Sequence, residues 1–371
     1  MKNILIAIRS IFKKGRHNVM KIVSLGIGLA VGLVLIAKVY FEQSYDDFYP
    51  DRDRVYQVWA KYQQNGGELK DYPQTSGGIA PTMQQQIPEI ETVTRYTSFG
   101  DWTFTMTDTK MKYSGRCIIA DSCFFDILPR PMLIGNAKEV LSTPMYVLVS
   151  SRIAKNIGGD VIGKNFTVDS SPGRTMTIGG VFEEVPENSH SRYDVIVSMA
   201  SASRFMWEGS PTNMLGNDRY ISYVKLHKGV NPLALEEQVH TFVNSYFPPE
   251  EQQKTGFNIG FSFHELDGLH KELPQVKRMT WILSLLAFAL IFTAVMNYIL
   301  IVISSIVNRS KEVAVHKCYG ASENNIHGMM FGEALVHIVL SLILALLLIL
   351  AFRGTVEELL ATSLDSLLLS N

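Results

Sequence analysis

Ile22-Val-Ser-Leu-Gly26-Ile-Gly28-Leu-Ala-Val-Gly32-Leu-Val-Leu-Ile-Ala-Lys38-Val-Tyr40 carries a single charge, Lys38, close to its far end. A helix rises about 1.5 Å per residue, so a run of this length crosses the roughly 30 Å of bilayer hydrocarbon. Two further runs share its character. Met279 to Val307 contains Asn297 as its only amide, and Met329 to Phe352 holds Glu333 and His337 in its first half. Buried core helices are shorter and amphipathic, so three such runs read as membrane spans. The basic start of the chain also suits a secretory signal. The first run is too long for one, however, and leaves through Ala-Lys-Val-Tyr-Phe-Glu with no small-residue cleavage site.

The flanks set the orientation. Lys2, Arg9, Lys13, Lys14, Arg16 and Lys21 precede the first run with no acidic residue among them, which places the N-terminus in the cytoplasm. Arg309, Lys311 and Lys317 then fall on the cytoplasmic side, while Lys277 and Arg278 oppose the rule and are outnumbered. The resulting division is a cytoplasmic segment 1–21, a span 22–41, an extracytoplasmic domain 42–278, a span 279–307, a cytoplasmic elbow 308–328, a span 329–352 and an extracytoplasmic tail 353–371. The fold class expected is an α-helical transmembrane bundle with a large α+β extracytoplasmic domain.

Composition agrees and excludes several classes. The 371 residues are 47% apolar and 19% charged, with a mean hydropathy of +0.10, which is far from a disordered chain. Thirty-four basic against 35 acidic residues give no whole-chain field for nucleic acid. Three cysteines exclude a disulfide-stapled scaffold. Cys117 and Cys123 lie in the outer segment, where a disulfide and two separate thiols both remain open; Cys318 reads as a free cytoplasmic thiol.

Alternation in the outer segment marks strands at Arg54–Tyr62, Phe166–Val168 and Met176–Val181, and Thr92–Tyr96, Trp102–Met106, Tyr146–Ser150, Tyr220–Leu226 and Ile259–Phe263 also read as strands. Short helices are expected over Pro81–Ile87, from Ser151 to a stop at Gly158-Gly159, and from Asn231-Pro232 with Leu235, Val239, Phe242 and Val243 on one face. The last strand–helix–strand stretch has the form of a split βαβ unit. Gly158-x-x-x-x-Gly163-Lys164 imitates a phosphate-binding loop. Asn165 replaces the required hydroxyl, though, and a strand follows where a helix is needed. His190, His227, His240, His264 and His270 have no metal-ligand spacing. His264, Glu265, Asp267 and His270 read as a solvated loop. Neither a catalytic constellation nor a metal or cofactor site emerges, and the expectation is that the chain is not an enzyme. In the first span Gly28-x-x-x-Gly32, with Gly26, forms a close-packing face, and Asn297 and Glu333 are polar helix-packing candidates on the other spans.

The stretch between the last two spans reads Asn308-Arg309-Ser-Lys311-Glu312-Val-Ala-Val-His316-Lys317-Cys-Tyr-Gly320-Ala321-Ser322. The second helix should overshoot the membrane and stop at Gly320, and Ser322 should cap a new helix. The product is a helix–turn–helix elbow. This stretch resembles the R-x-x-E-I-A-x-x-K-x-x-G-A-S signature of the permease family that includes FtsX and MacB, and Glu333-Ala334-Leu335 follows as in that family. The outer segment is similar to the MacB-like periplasmic core at several places. Asp121-Ser-Cys-Phe124-Phe125-Asp-Ile127-Leu128, Val149-Ser150-Ser151, Ile162-Gly163-Lys164 and Gly180-Val181 to Pro186-x-Asn188-Ser189-His190 all match its motifs.

The resemblance implies a subunit that passes no substrate through the bilayer. A separate ABC ATPase would engage an elbow of Arg309, Lys311, Glu312, His316, Lys317, Gly320, Ala321 and Ser322. Its ATP cycle would move the spans and, through them, the periplasmic domain, which the resemblance implies to be of two lobes. The implied setting is the bacterial inner membrane. The implied partners are that ATPase, membrane lipid, a second permease half or a second copy, and periplasmic or outer-membrane components, with export or efflux as the output. Family members have a fourth span, so the chain reads as a fragment or as the first half of a longer permease. The alternative is a membrane-anchored periplasmic sensor or scaffold without an ATPase, which would not need the Gly-Ala-Ser break.

Overall fold

The computed structural model describes residues 18–169, 171–308, 315, 318, 323–360 and 362–369. The chain divides into two compact units, one built from its two ends and the other from Tyr45–His270.

The first unit holds three helices long and apolar enough to cross a membrane. They cover Asn18–Gln43, Pro274–Asn308 and Glu323–Ala351, each beginning ahead of its apolar stretch. The third runs unbroken from the residue after Ser322, so the cap expected there lies outside the described residues. Large apolar side chains such as Trp281, Phe288, Phe331 and Leu347 stand exposed along them, a surface that only lipid or protein can cover. The glycines of the first span meet two different neighbours. A methyl group at Gly28 would strike Ala294, and one at Gly32 would strike Ile291, both on the second span; one at Gly26 would sit 2.9 Å from Leu344 on the third. Polar links fix the register of the helices. Ser341 donates to the Ile22 carbonyl at 3.1 Å, and Tyr298 meets His337 at 3.4 Å. Lys38 pairs with Glu42 at 2.7 Å and donates to Thr362, ahead of the short helix Leu364–Leu369.

The second unit is built on one eleven-stranded sheet. Its strands are β1 Val55–Gln64, β2 Lys70–Tyr72, β3 Ile90–Met106, β4 Lys112–Ala120, β5 Met132–Ile134, β6 Tyr146–Ser150, β7 Asn165–Val168, β8 Ser171–Phe182, β9 Val195–Ser198, β10 Ile221–Leu226 and β11 Phe257–Glu265. The main order is β11-β1-β10-β3-β4-β9-β6-β8-β5, with β2 beside β1 and β7 beside β3 and β8. Both β10 and β11 run antiparallel to β1, which lies between them. They are therefore parallel to each other and joined through the helix Glu236–Tyr246, which is the split βαβ form. Asn231 caps the short turn before that helix, and Leu235, Val239, Phe242 and Val243 are all buried.

The stretches Thr92–Tyr96 and Trp102–Met106 are one strand and not two. An extra residue at Phe99 shifts the register between Ser98 and Gly100, and Gly100 takes a left-handed conformation at φ +74°. The bulge reverses the phase of alternation, so the sequence pattern breaks where the backbone does not. The phosphate-loop imitation is a closed turn. Lys164 donates to the Gly158 carbonyl and the Gly163 amide donates to Ile178, leading directly into β7. The helix expected at Pro81–Ile87 begins earlier, spanning Ile79–Gln86. Cys117 and Cys123 are separate thiols. Cys117 is buried and Cys123 donates to the Val93 carbonyl at 3.1 Å.

Gly28→Leu should overpack the seam between the first two spans and cost about 1–3 kcal/mol, a typical penalty for inserting side-chain volume into a packed interface. Gly332→Leu, at a glycine where an added Cβ meets nothing within 4 Å, is the matched control. Unfolding of the chain in mixed micelles would measure both.

Candidate transmission site

The second unit is entered at Tyr45 and left at His270. The rings of these two residues stack, with centroids 3.4 Å apart and planes within 7° of parallel. Arg52 pairs with Asp267 at 3.1 Å, and the Leu266 amide donates to the Val55 carbonyl at 2.9 Å. The incoming and outgoing chains are thus tied to each other within this unit. The His264–His270 stretch, expected as a solvated loop, is part of that tie. His264 belongs to β11 and stacks on Trp59, and burial pushes its pKa down.

Asp46 sits at the centre of this arrangement. It is fully buried, with a left-handed backbone at φ +61°. An aspartate tolerates that conformation better than most residues do. Its amide donates to the Asn188 carbonyl at 2.9 Å. One carboxylate oxygen accepts from the Ser189 hydroxyl at 3.1 Å and the His190 amide at 3.3 Å, and the other accepts from His190 Nδ1 at 2.7 Å. This tautomer, assigned from the hydrogen bonds, leaves His190 Nε2 to accept from the Tyr223 hydroxyl at 2.5 Å. Burial, reinforced by Tyr96 and Asp46 nearby, holds the Tyr223 pKa far above its ordinary value, so the phenol keeps its proton and keeps donating. Tyr96 bonds to Ser191 and stacks on Tyr223 at 6.3 Å. Phe124 and Tyr193 pack around the same core.

The Asp–His–Tyr chain superficially resembles a proton relay. Tyr223 is fully buried, so no substrate has room at its hydroxyl. The arrangement is suited to holding. It connects the entering chain to β10 through Tyr223 and to β3 through Tyr96, two neighbouring strands in the middle of the sheet.

The residues singled out in the sequence fall differently. Gly26, Gly28 and Gly32 lie against neighbouring helices, and Glu333 is buried within the first unit, as is His337. Asn297 is exposed; Ala294 and Tyr298, on either side of it, turn inward in its place. Arg309, Lys311, Glu312, His316, Lys317, Gly320, Ala321 and Ser322 lie outside the described residues. Sequence reasoning marked Asn188-Ser189-His190 as a family motif and missed Asp46. The two are 144 residues apart at their closest hydrogen bond, and an Asp46-Asp47 pair reads locally as solvated acid.

Helical spans joined to a large α/β unit by a tied entry and exit define a membrane protein with a substantial extracytoplasmic domain. Residues 20–242 match the model of the MacB-like periplasmic core domain, and residues 284–369 match the FtsX-like permease C-terminal model. The chain belongs to the FtsX/MacB-like family of ABC-transporter permeases. A solved domain ascribed to a permease of Porphyromonas gingivalis is 32% identical over 58% of this chain and 91% of that one, with a TM-score of 0.53. The periplasmic region of MacB from Actinobacillus actinomycetemcomitans is 14% identical (56% and 87% covered, TM-score 0.38). The extracellular domain of the noncanonic ABC-type transporter YknZ from Gram-positive bacteria is 10% identical (55% and 98% covered, TM-score 0.39). A comparison with curated proteins finds no match.

Asp46→Ala should destabilise the second unit by about 1–3 kcal/mol for each buried donor it strands. Asp46→Asn, which keeps the left-handed preference and one acceptor, should cost roughly half as much. Denaturant unfolding followed by tyrosine and tryptophan fluorescence would rank the two. Equal stability of both variants with the native chain would remove Asp46 from its place in the clamp.

Proposed function

We propose that the chain is the membrane subunit through which a separate cytoplasmic ABC ATPase moves an extracytoplasmic domain, in the service of export or efflux. The chain itself carries out no catalysis. Its N-terminus and residues 308–328 lie on the cytoplasmic side of the bacterial inner membrane, and residues 42–278 lie in the periplasm.

The observation that carries this reading is the Asp46 clamp. The helix Asn18–Gln43 ends three residues before a buried carboxylate of the second unit, which is bonded there to Ser189 and His190. A displacement of the entering chain at that point moves β10 and β3 with it, because the alternative strands a buried charge. Family membership supplies the driving partner in general terms, as an ABC ATPase acting on an oligomeric permease. On this reading the exposed amide of Asn297 is covered by a second permease half or a second copy. Arg309, Lys311, Glu312, His316, Lys317, Gly320, Ala321 and Ser322 form the surface that receives the ATPase. Coupling of this kind requires two states that the ATPase contacts differently.

Tagged chain, purified from native membranes in mild detergent, should bring down a P-loop ATPase. Glu312→Ala should insert and fold normally while retaining that ATPase at least roughly tenfold less well, a loss of ~1.4 kcal/mol. Undiminished association and undiminished export in this variant would sink the elbow's assigned role.

A further inference from the structure

Strand β1 runs between β2 and β11, and its register places one set of side chains on a common face. Tyr62 lies opposite Lys70 on β2 and opposite Ile259 on β11, and directly opposed residues of an antiparallel pair share a face. Tyr72, opposite Ala60, and Phe257, opposite Gln64, therefore stand on the same face as Tyr62. Further along that face the helix Glu236–Tyr246 covers the sheet, with the Phe242 ring against Phe261. The helix stops at Phe247, and that residue lines a groove of about 1010 Å³ together with Tyr62, Tyr72 and Phe257.

The rings form a cluster. Tyr62 stacks on Phe257 with centroids 5.3 Å apart and meets Tyr72 at 5.6 Å. Phe247 is buried, whereas Tyr72 is 44% exposed and keeps ring surface available to a ligand.

A carboxylate is held beside these rings. Asp218 lines the same groove and is half-buried. One of its oxygens accepts from the Tyr62 hydroxyl at 2.5 Å, and the other meets the Ser76 hydroxyl. Both partners are neutral, and the single Ser76 proton is also contested by the Gly216 carbonyl at 2.9 Å. Burial, and then the bond to Asp218, push the Tyr62 pKa far above its ordinary value, so the phenol donates without ionising. The half-buried aspartates Asp51, Asp121, Asp194 and Asp267 each pair with a lysine or an arginine of the same unit. Asp218 makes no such pair among the described residues. Nor does a lysine or arginine among them stand over the ring of Tyr62, Tyr72 or Phe257. Glu68 and Lys70 also line the groove, so two acids against one base leave its wall with a net charge of −1.

A carboxylate with only neutral donors, next to the negative faces of aromatic rings, is complementary to positive charge. The rings around it demand an apolar body to cover them. We propose that this groove is a binding site for a small organic cation, a substituted ammonium on an apolar or aromatic body, with its charge against Asp218 and its body against Tyr62, Tyr72 and Phe257. The site lies wholly within the second unit, so its occupancy stands or falls independently of the coupling to an ATPase.

The test uses the full chain in nanodiscs of zwitterionic lipid, with empty nanodiscs as the blank. The probes are benzyltrimethylammonium and neopentylbenzene, which share one shape and differ in charge (carbon replaces the nitrogen). In equilibrium dialysis the cation should bind saturably, and the neutral isostere should bind about tenfold less tightly or weaker. Asp218→Asn keeps an acceptor for Tyr62 and removes the charge. It should weaken the cation by about tenfold and leave the isostere within about twofold. Tyr72→Leu should cost the cation about threefold or more, and Tyr72→Phe, which keeps the ring, should stay within about twofold. A purely structural role for Asp218 would weaken both probes together and leave their ratio unchanged, which would overturn the proposal. So would the absence of saturable binding by the cation. Displacement of the probe by acetyl-arginine amide at lower concentration than the probe itself requires would also overturn it, by making the ligand a basic side chain of a partner protein.

Discussion

A carboxylate removed from water costs several kcal/mol unless its oxygens are satisfied, and Asp46 has no exposure at all. Its environment answers that demand with the Ser189 hydroxyl, the His190 amide and the His190 ring. Its backbone adds a second constraint, a left-handed conformation at φ +61° that an aspartate tolerates better than most residues do. His190 then reaches Tyr223, and Tyr223 stacks on Tyr96. The centre of the sheet is organised around the point where the chain arrives.

Much of this architecture was legible because its causes are local. Apolar length alone marked the three spans. Ser150 accepts from the Ile153 amide, and Gly158 at φ +74° ends the helix that follows, so both ends of Ser151–Ile157 were written in neighbouring residues. A short continuous apolar run, Val147, Leu148 and Val149, fully buried on both faces, marked β6 to the residue. The failures have a common origin in information that is not local. The bulge in β3 is imposed by pairing with β4, and nothing near Phe99 announces that the strand continues. The clamp joins Asp46 to residues far along the chain. Each half is an ordinary polar stretch until folding brings them together. The elbow is the opposite case, specific in sequence and outside the described residues.

Each unit is held together internally by different physics. Between helices in hydrocarbon there is no hydrophobic force, because lipid tails are as apolar as leucine. Close approach at Gly28 and Gly32, and a few polar links such as Ser341 to the Ile22 carbonyl, do the work instead. A seam of small residues has few interlocking side chains to disengage, so it yields to displacement at modest cost. The second unit has the reverse character. Its core is aromatic and close-packed around a satisfied charge, and a buried network of that kind resists partial opening, since each bond lost leaves an unpaired group. The coupling role proposed above needs this division. The step that receives the motion must be soft enough to have two positions, and the step that delivers it must be stiff enough not to absorb it.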